Sequence, residues 1–298
     1  MKKHLLGYVF VFISSIGFAM PSIFTRLISL NTTFSPLNIA ILRFVFATPV
    51  IWLLLFRNRY GSFSRFHRQR FLGLGLVFTL ASISGILSVQ RIPVSLYIIL
   101  LFTFPIWIVF YAFLNKQAIP KLTWLGLPFA IIGLFLTVYN PVNTSIDWIG
   151  VALALFNGLV VAIYYLMSAR FFAGDVSRSQ GTMYLFLGAL LSGLLTLPFS
   201  NFRFPNNGFE WMLFLGLTVL GTLVPITFGN LGIQLIGSTR SAMMNIFQPL
   251  AGIFMAHLIF DEALRTQQLI GAFLVICSII LLQTSKDTTP KTIIAGSE

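Results

Sequence analysis

Residues 94–114 read VSLYIILLFTFPIWIVFYAFL. No charged residue interrupts the run, and Ser95 and Thr103 are its only small polar side chains. An α-helix of about 20 apolar residues crosses the roughly 30 Å hydrocarbon core of a bilayer. The stretch therefore reads as a membrane-spanning helix. A β-barrel strand would alternate apolar and polar residues, and this run does not.

The same pattern recurs along the whole chain. Ten windows read as spans: Leu5–Leu30, Pro36–Phe56, Phe71–Gln90, Val94–Leu114, Leu122–Tyr139, Trp148–Ser168, Thr182–Phe199, Trp211–Ile233, Ser241–Phe260 and Leu269–Gln283. Of the 298 residues, 57% are hydrophobic and 9% charged. A soluble domain carries roughly a quarter charged residues, so lipid must cover much of this apolar surface. The expected fold class is an all-α integral membrane protein of ten transmembrane helices. Residues 285–298 read as a polar cytoplasmic tail.

The charges orient the chain. Of the 19 lysines and arginines, an inside N-terminus and ten spans leave only Arg26, Arg91, Arg203 and Arg265 on the outer side. Arg43 falls inside a span, and all the others lie inside. This positive-inside bias places both termini in the cytoplasm and the protein in the inner (plasma) membrane. The net charge of +12 therefore reflects membrane orientation, and no nucleic-acid partner is implied. The arginines between Arg57 and Arg70 read as a contact with the lipid surface. The N-terminal apolar run continues past Ala19 to Ile28, which reads as a retained first helix rather than a signal peptide.

The two halves echo each other. Pro105-Ile106-Trp107 is followed by an apolar helix, a polar break at Asn115-Lys116-Gln117, and then Leu125-Gly126. Pro249-Leu250-Ala251 is followed by an apolar helix, a break at Asp261-Glu262, and then Ile270-Gly271. Nine residues separate Gln117 from Gly126, and nine separate Glu262 from Gly271. Residues 1–140 and 147–284 thus read as two five-helix repeats. An odd number of spans inverts the second repeat relative to the first, an arrangement suited to alternating access.

Two motif sets carry a family resemblance. Leu42-Arg43-Phe44 with Ala47 lies in the second span. Gly232-Ile233-Gln234, Ser238, Ala242, Pro249-Leu250, Asp261-Glu262 and Gly271 run through the eighth to tenth. In these, over almost its whole length, the chain resembles the EamA-type permeases of the drug/metabolite transporter superfamily. The resemblance implies a ten-helix transporter of small metabolites or drugs. Two positions depart from the pattern: Gln117 stands where a glutamate is expected, and Asp261 stands where a glycine is expected.

Arg43 is the foremost candidate site residue. A guanidinium seven residues into a span is costly unless water, a partner or a ligand meets it. Its forked donors suit a carboxylate or phosphate on the cargo. The alternative is a structural role, bonded to helix-end carbonyls. Asn157, Asn230, Asn245 and Gln248 need hydrogen-bond partners within their spans, either on neighbouring helices or along a cargo path. Tyr97 and Trp107 offer stacking surfaces, or simple packing. Pro105 and Pro249 are candidate hinges facing each other across a cavity. His257 and Glu262 are candidate coupling groups, with packing and helix-end contacts as the alternatives. Gly75 with Thr79 and Gly188 with Ser192 form small-x-x-x-small pairs.

No nucleotide-phosphate loop or metal-ligand spacing occurs, so neither an enzyme nor a bound cofactor is expected. Cys277 is the single cysteine and excludes an internal disulfide. The expected partners are a small-molecule substrate, membrane lipids and, for a coupled mechanism, protons. A monomer is the default. The reading is a permease, exporting an amino acid or organic anion. Its rivals are an exporter of cationic amphiphilic drugs and a non-transporting scaffold or lipid-handling protein.

Overall fold

A computed structural model describes residues 2–56, 63–116, 121–138, 147–172, 176–237, 240–241, 244–245, 247–262 and 265–284. Every regular element among them is helical. In the first half α1 covers Lys2–Asn31, α2 Pro36–Leu55, α3 Arg65–Val89, α4 Val94–Leu101, α5 Phe104–Leu114 and α6 Lys121–Val138. In the second, α7 covers Trp148–Phe171, α8 Arg178–Leu194, α9 Gly208–Thr218, α10 Val224–Ile236, α11 Phe247–Phe260 and α12 Thr266–Thr284. Gln117 and the tail 285–298 lie outside the described residues, as do Arg57, Arg59, Ser238 and Ala242.

Six stretches are long and apolar enough to cross a membrane: Leu5–Asn31, Pro36–Leu55, Arg65–Val89, Val94–Leu114, Trp148–Phe171 and Gly208–Ile236. Shorter apolar helices occupy Trp124–Thr137, Phe247–Phe260 and Thr266–Leu281. Large apolar side chains such as Leu53 and Phe273 face outward, as hydrocarbon-covered surfaces require. The chain is an all-α, multi-pass membrane protein.

Two expected spans are not continuous helices. The helix from Val94 stops at Leu101, and α5 restarts with Pro105 in its first turn. Proline has no N–H to return to the carbonyl four residues back and fits best at a helix start. Pro249 likewise stands in the first turn of α11, just after a turn residue at Asn245. The expected window Thr182–Phe199 also differs. Its helix begins earlier, at Arg178, and ends at Leu194, ahead of a 3-10 turn over Leu197–Phe199 that contains Pro198.

Glycines set the closest helix contacts. Gly75 of α3 and Gly188 of α8 meet: a Cβ at Gly75 would stand 2.6 Å from the Gly188 carbonyl carbon. One turn on, Thr79 Oγ1 donates to the Ala189 carbonyl at 2.9 Å, and Ser192 Oγ donates to Thr79 Oγ1 at 2.8 Å. Both small-residue pairs read from the sequence therefore belong to one seam. In α6 and α12, Gly133 and Gly271 meet in the same way, a Cβ at Gly271 standing 2.6 Å from the Gly133 carbonyl oxygen.

Glu262 closes a helix end remote in sequence. Pro93 precedes α4 and supplies no capping side chain. The Glu262 carboxylate instead accepts from Val94 N at 2.8 Å, Ser95 N at 2.9 Å and Ser95 Oγ at 2.7 Å. An acid at a helix N-terminus satisfies free N–H groups and opposes the positive end of the helix dipole. Asp261, just before it, has φ 54°, and Lys116 at the matching place in the first half has φ 53°. Such left-handed positions are the ones glycine adopts without strain. Glu262→Gln is expected to cost about 1 kcal/mol by weakening the cap. Asp261→Gly should be neutral or stabilising by up to about 1 kcal/mol. Thermal unfolding of the detergent-solubilised protein checks both.

The outer ends read from the charge bias carry further ties. Arg26 of α1 donates to the Val89 and Gln90 carbonyls at 2.9 and 3.2 Å, a cation at the C-terminus of α3. Arg203 grips Glu210 through both nitrogens, at 2.9 and 2.8 Å. Asp147 caps α7, and the Gly150 N–H and the Arg91 guanidinium hold its carboxyl below the usual carboxylate range.

Candidate functional site

A cavity of about 580 Å³ lies inside the helix bundle. Both halves of the chain contribute to its wall: α1, α2, α3, α4, α7 and α8, with Phe104 of α5, α10 and Gln248 of α11. Most of the lining is apolar or aromatic, including Phe78, Tyr97, Tyr164 and Tyr165. Polar side chains from several helices, among them Thr25, Ser82, Asn157 and Asn230, interrupt this apolar surface, as in many small-molecule sites. Among the described lining residues the charged ones are Arg43 and Arg178, and no aspartate or glutamate is present.

Helix α2 carries Arg43 between two fully buried neighbours, Leu42 and Phe44. Its Nε donates to Thr222 Oγ1 at 3.1 Å, Nη1 to Ser82 Oγ at 3.4 Å and Nη2 to the Gly221 carbonyl at 3.5 Å. The Phe44 and Phe78 rings each lie 5.9 Å from the guanidinium carbon. All these hydrogen-bond partners are uncharged, and two of the bonds are long. The charge is held in place but not neutralised.

The Gly221 contact has a local cause. Residues Val219–Leu223 wind as a π-helix, and Pro225 opens α10. In α-helical register the residue-225 N–H would bond the Gly221 carbonyl, but proline has none. Arg43 reaches across from α2 to the carbonyl so freed. Ser14 of α1 donates to the Pro225 carbonyl at 2.7 Å and pins the same bend from the other side. Both readings of Arg43 from the sequence thus meet in one geometry, a helix-carbonyl contact and a place on the cavity wall.

Tyr97 and Asn157 form a second polar group on the wall. The Tyr97 hydroxyl donates to Asn157 Oδ1 at 3.2 Å. Asn157 Nδ2 donates to Ser84 Oγ at 2.8 Å and to the Ala81 carbonyl. The network ties α4 and α7 to α3. Gly85 makes room for it: a Cβ there would come within 2.7 Å of the tyrosine oxygen. Asn157→Leu is expected to lower stability by about 1–3 kcal/mol, because buried partners lose their bonds. A thermal-shift comparison in one detergent checks it.

The other candidates separate. Asn230 and Gln248 line the cavity, and Gln248 Nε2 donates to the Phe18 carbonyl at 3.4 Å. Asn245 lies away from the wall and accepts from Ser15 Oγ at 3.4 Å. Trp107 is half-buried with its ring edge-on to Phe110, also away from the wall. Pro105 and Pro249 are buried at helix starts and do not line the cavity. His257 is exposed, and its Nδ1–H donates to the Glu262 carbonyl at 3.1 Å. Neither His257 nor Glu262 lines the cavity.

Several wall residues escape sequence reasoning. Ser82 and Tyr164 sit in apolar runs where packing is the ordinary reading, as does Thr222, which holds Arg43 from behind the wall. The adjacent pair Tyr164-Tyr165, two hydroxyls within one apolar span, is the signal that could have found one of them. Arg178 reads as a loop charge, yet it opens α8 at one end of the cavity.

The model of the EamA-like transporter family matches residues 5–139 and again 148–284. An uncharacterized transporter of Synechocystis is 30% identical over 223 residues, 72% of this chain and 66% of the relative. The uncharacterized inner membrane transporter YicL of Salmonella typhimurium is 22% identical, covering 93% of this chain and 94% of that one. A crystal structure superposes with a TM-score of 0.60 at 15% identity, over 95% of this chain and 97% of the other. That likeness concerns the fold.

Proposed function

This chain belongs to the EamA-like transporter family, and from that premise we propose that it exports a small metabolite with an anionic group through the central cavity. It is a membrane transporter and not an enzyme. The cargo class is an organic anion or amino acid. The single observation that carries this reading is Arg43, a charged wall residue whose hydrogen-bond partners are all neutral. An anion would meet unspent positive charge there, and the aromatic wall would cover its apolar body.

The mechanism proposed is alternating access between two inverted five-helix halves, residues 1–140 and 147–284. The double match of the family model supports the division. So do the left-handed backbone at both Lys116 and Asp261 and the break ahead of Pro105 and of Pro249. In this reading the ten apolar windows are ten crossings, and the charge bias they produce supports an inner-membrane protein with cytoplasmic termini. The π-turn at Pro225 is the natural point for movement in the second half, because its backbone bonds are already rearranged.

The rival cargo, a cationic amphiphile, would favour the aromatic rings. The absence of a carboxylate among the described lining residues weighs against it. Proteoliposomes loaded with labelled amino acids and organic anions decide between them. Faster loss of anions through the intact protein than through Arg43→Ala supports the proposal. Retention of every anion, with correctly inserted protein, overturns it. An imposed pH gradient in the same assay separates proton-coupled movement from flow down the substrate's own gradient.

A further inference from the structure

A second cavity, of about 470 Å³, lies beside the central one. It shares Arg178, Ile226, Asn230 and Ile233 with the central wall, so the two adjoin across these side chains. Its own walls differ in chemistry. The α2 side is apolar, made by Ile51, Leu54 and Leu55. The α10 side carries Thr227, Asn230 and Gln234, which at spacings of three and four share one helix face. Arg178 and Ser179 of α8 close one end.

This groove reaches the outside of the bundle. Leu54 and Leu231 line it and are 52% and 39% exposed, and Thr227, Gln234 and Arg178 are also exposed. Among the described residues, the side chains of Thr227, Asn230, Gln234 and Arg178 have no hydrogen-bond partner. Unpartnered polar groups are costly against lipid tails, so such a stripe belongs to a wet or ligand-filled path. The groove lies toward the end of α2 that the charge bias places inside.

We propose that this groove is a lateral mouth through which amphipathic anions pass from the inner half of the bilayer into the cavity. The anionic head would track Arg178 and the polar stripe, while the apolar body slides along Ile51, Leu54 and Leu55. Asn230, on both walls, marks the passage between the two spaces. The cargo class narrows accordingly, to carboxylates with an aliphatic or aromatic body. This inference rests on the permease reading, since a mouth matters only to a cavity that receives cargo.

The test uses the full chain in phosphatidylcholine nanodiscs and a dansylated undecanoate as probe. A dansylated alkylamine of equal length is the control. Three variants address the groove: Arg178→Gln, Leu54→Trp and Leu231→Trp. All three alter exposed side chains, so the fold should survive. Saturable binding of the carboxylate but not the amine is expected. Arg178→Gln should weaken it roughly tenfold, the size of a lost charge-assisted bond. Each tryptophan should block it by bulk. Equal binding in all three variants overturns the lateral mouth, as does equal binding of the amine. Loss of the probe to added phosphatidylglycerol, with no effect of Arg43→Ala, also overturns it, because the groove is then a lipid seat. Failure of the transport reading shows separately, as no anion flux from proteoliposomes while the groove still binds the probe.

Discussion

Arg43→Ala is expected to abolish transport while leaving the protein folded. Removing one partner of a buried, bonded charge pair costs about 3–5 kcal/mol. If the cargo carries the matching anion, flux should fall by more than about 100-fold. The effect on folding should be much smaller. The Gly221 carbonyl loses a donor, but that bond is 3.5 Å long, and its loss is expected to cost about 1 kcal/mol or less. Thr222 and Ser82 keep their capacity to bond elsewhere. Arg43→Lys preserves the charge but not the fork that reaches Thr222, Ser82 and Gly221 together. It should retain only partial flux, about tenfold down. Flux and thermal midpoint measured on the same preparations separate the roles. Full flux in Arg43→Ala would make the residue purely structural. Loss of folding in parallel with flux would assign its importance to the bend at Pro225.

The largest effect on stability is expected from Gly188→Val. A Cβ at Gly188 would stand 2.7 Å from Leu72 Cα and 2.8 Å from the Leu72 carbonyl carbon. These are backbone atoms of α3 and cannot rotate aside. The helices must separate, and the Thr79–Ser192 and Thr79–Ala189 bonds stretch with them. Overpacking of this kind costs about 1–3 kcal/mol, and the lost bonds add to it. The thermal midpoint should drop by about 5–10 °C. Gly73→Ala is the matched control. It lies in the facing helix α3, next to Leu72, but no atom would lie within 4 Å of its Cβ. There the alanine should stabilise by about 0.5–1 kcal/mol, because glycine is the poorer helix former. Thermal scans by intrinsic fluorescence distinguish the two outcomes. An unchanged midpoint in Gly188→Val would mean that α3 and α8 are not in close contact.

The candidate site was partly legible in the sequence because burial of polarity is a local signal. Arg43, Tyr97, Asn157, Asn230 and Gln248 stand out against apolar runs, and each lies on the cavity wall. Asn245 and Trp107 gave equally strong signals but point elsewhere. A polar or aromatic residue in a span announces only that it needs company, not which company it finds. Glu262 illustrates the limit: its partners Val94 and Ser95 lie 168 and 167 residues away. No spacing rule reaches that far.

By itself the sequence determined the solvent of this protein, its helical class and the places where helices approach closely. Continuous apolar runs demand lipid and internally bonded backbone, and glycines at one-turn spacing allow contact whatever the partner. The family motifs could be read as well, since they are short and local. Tertiary structure alone decided which helices are neighbours. That choice put the α2 guanidinium beside the carbonyl released by Pro225. It set the Glu262 carboxylate on the bare end of α4, and it joined the walls of two halves around one cavity. The physical reason is that apolar surfaces are nearly interchangeable in lipid. Composition fixes that helices pack, while the pairing depends on the fit of side chains distant in sequence.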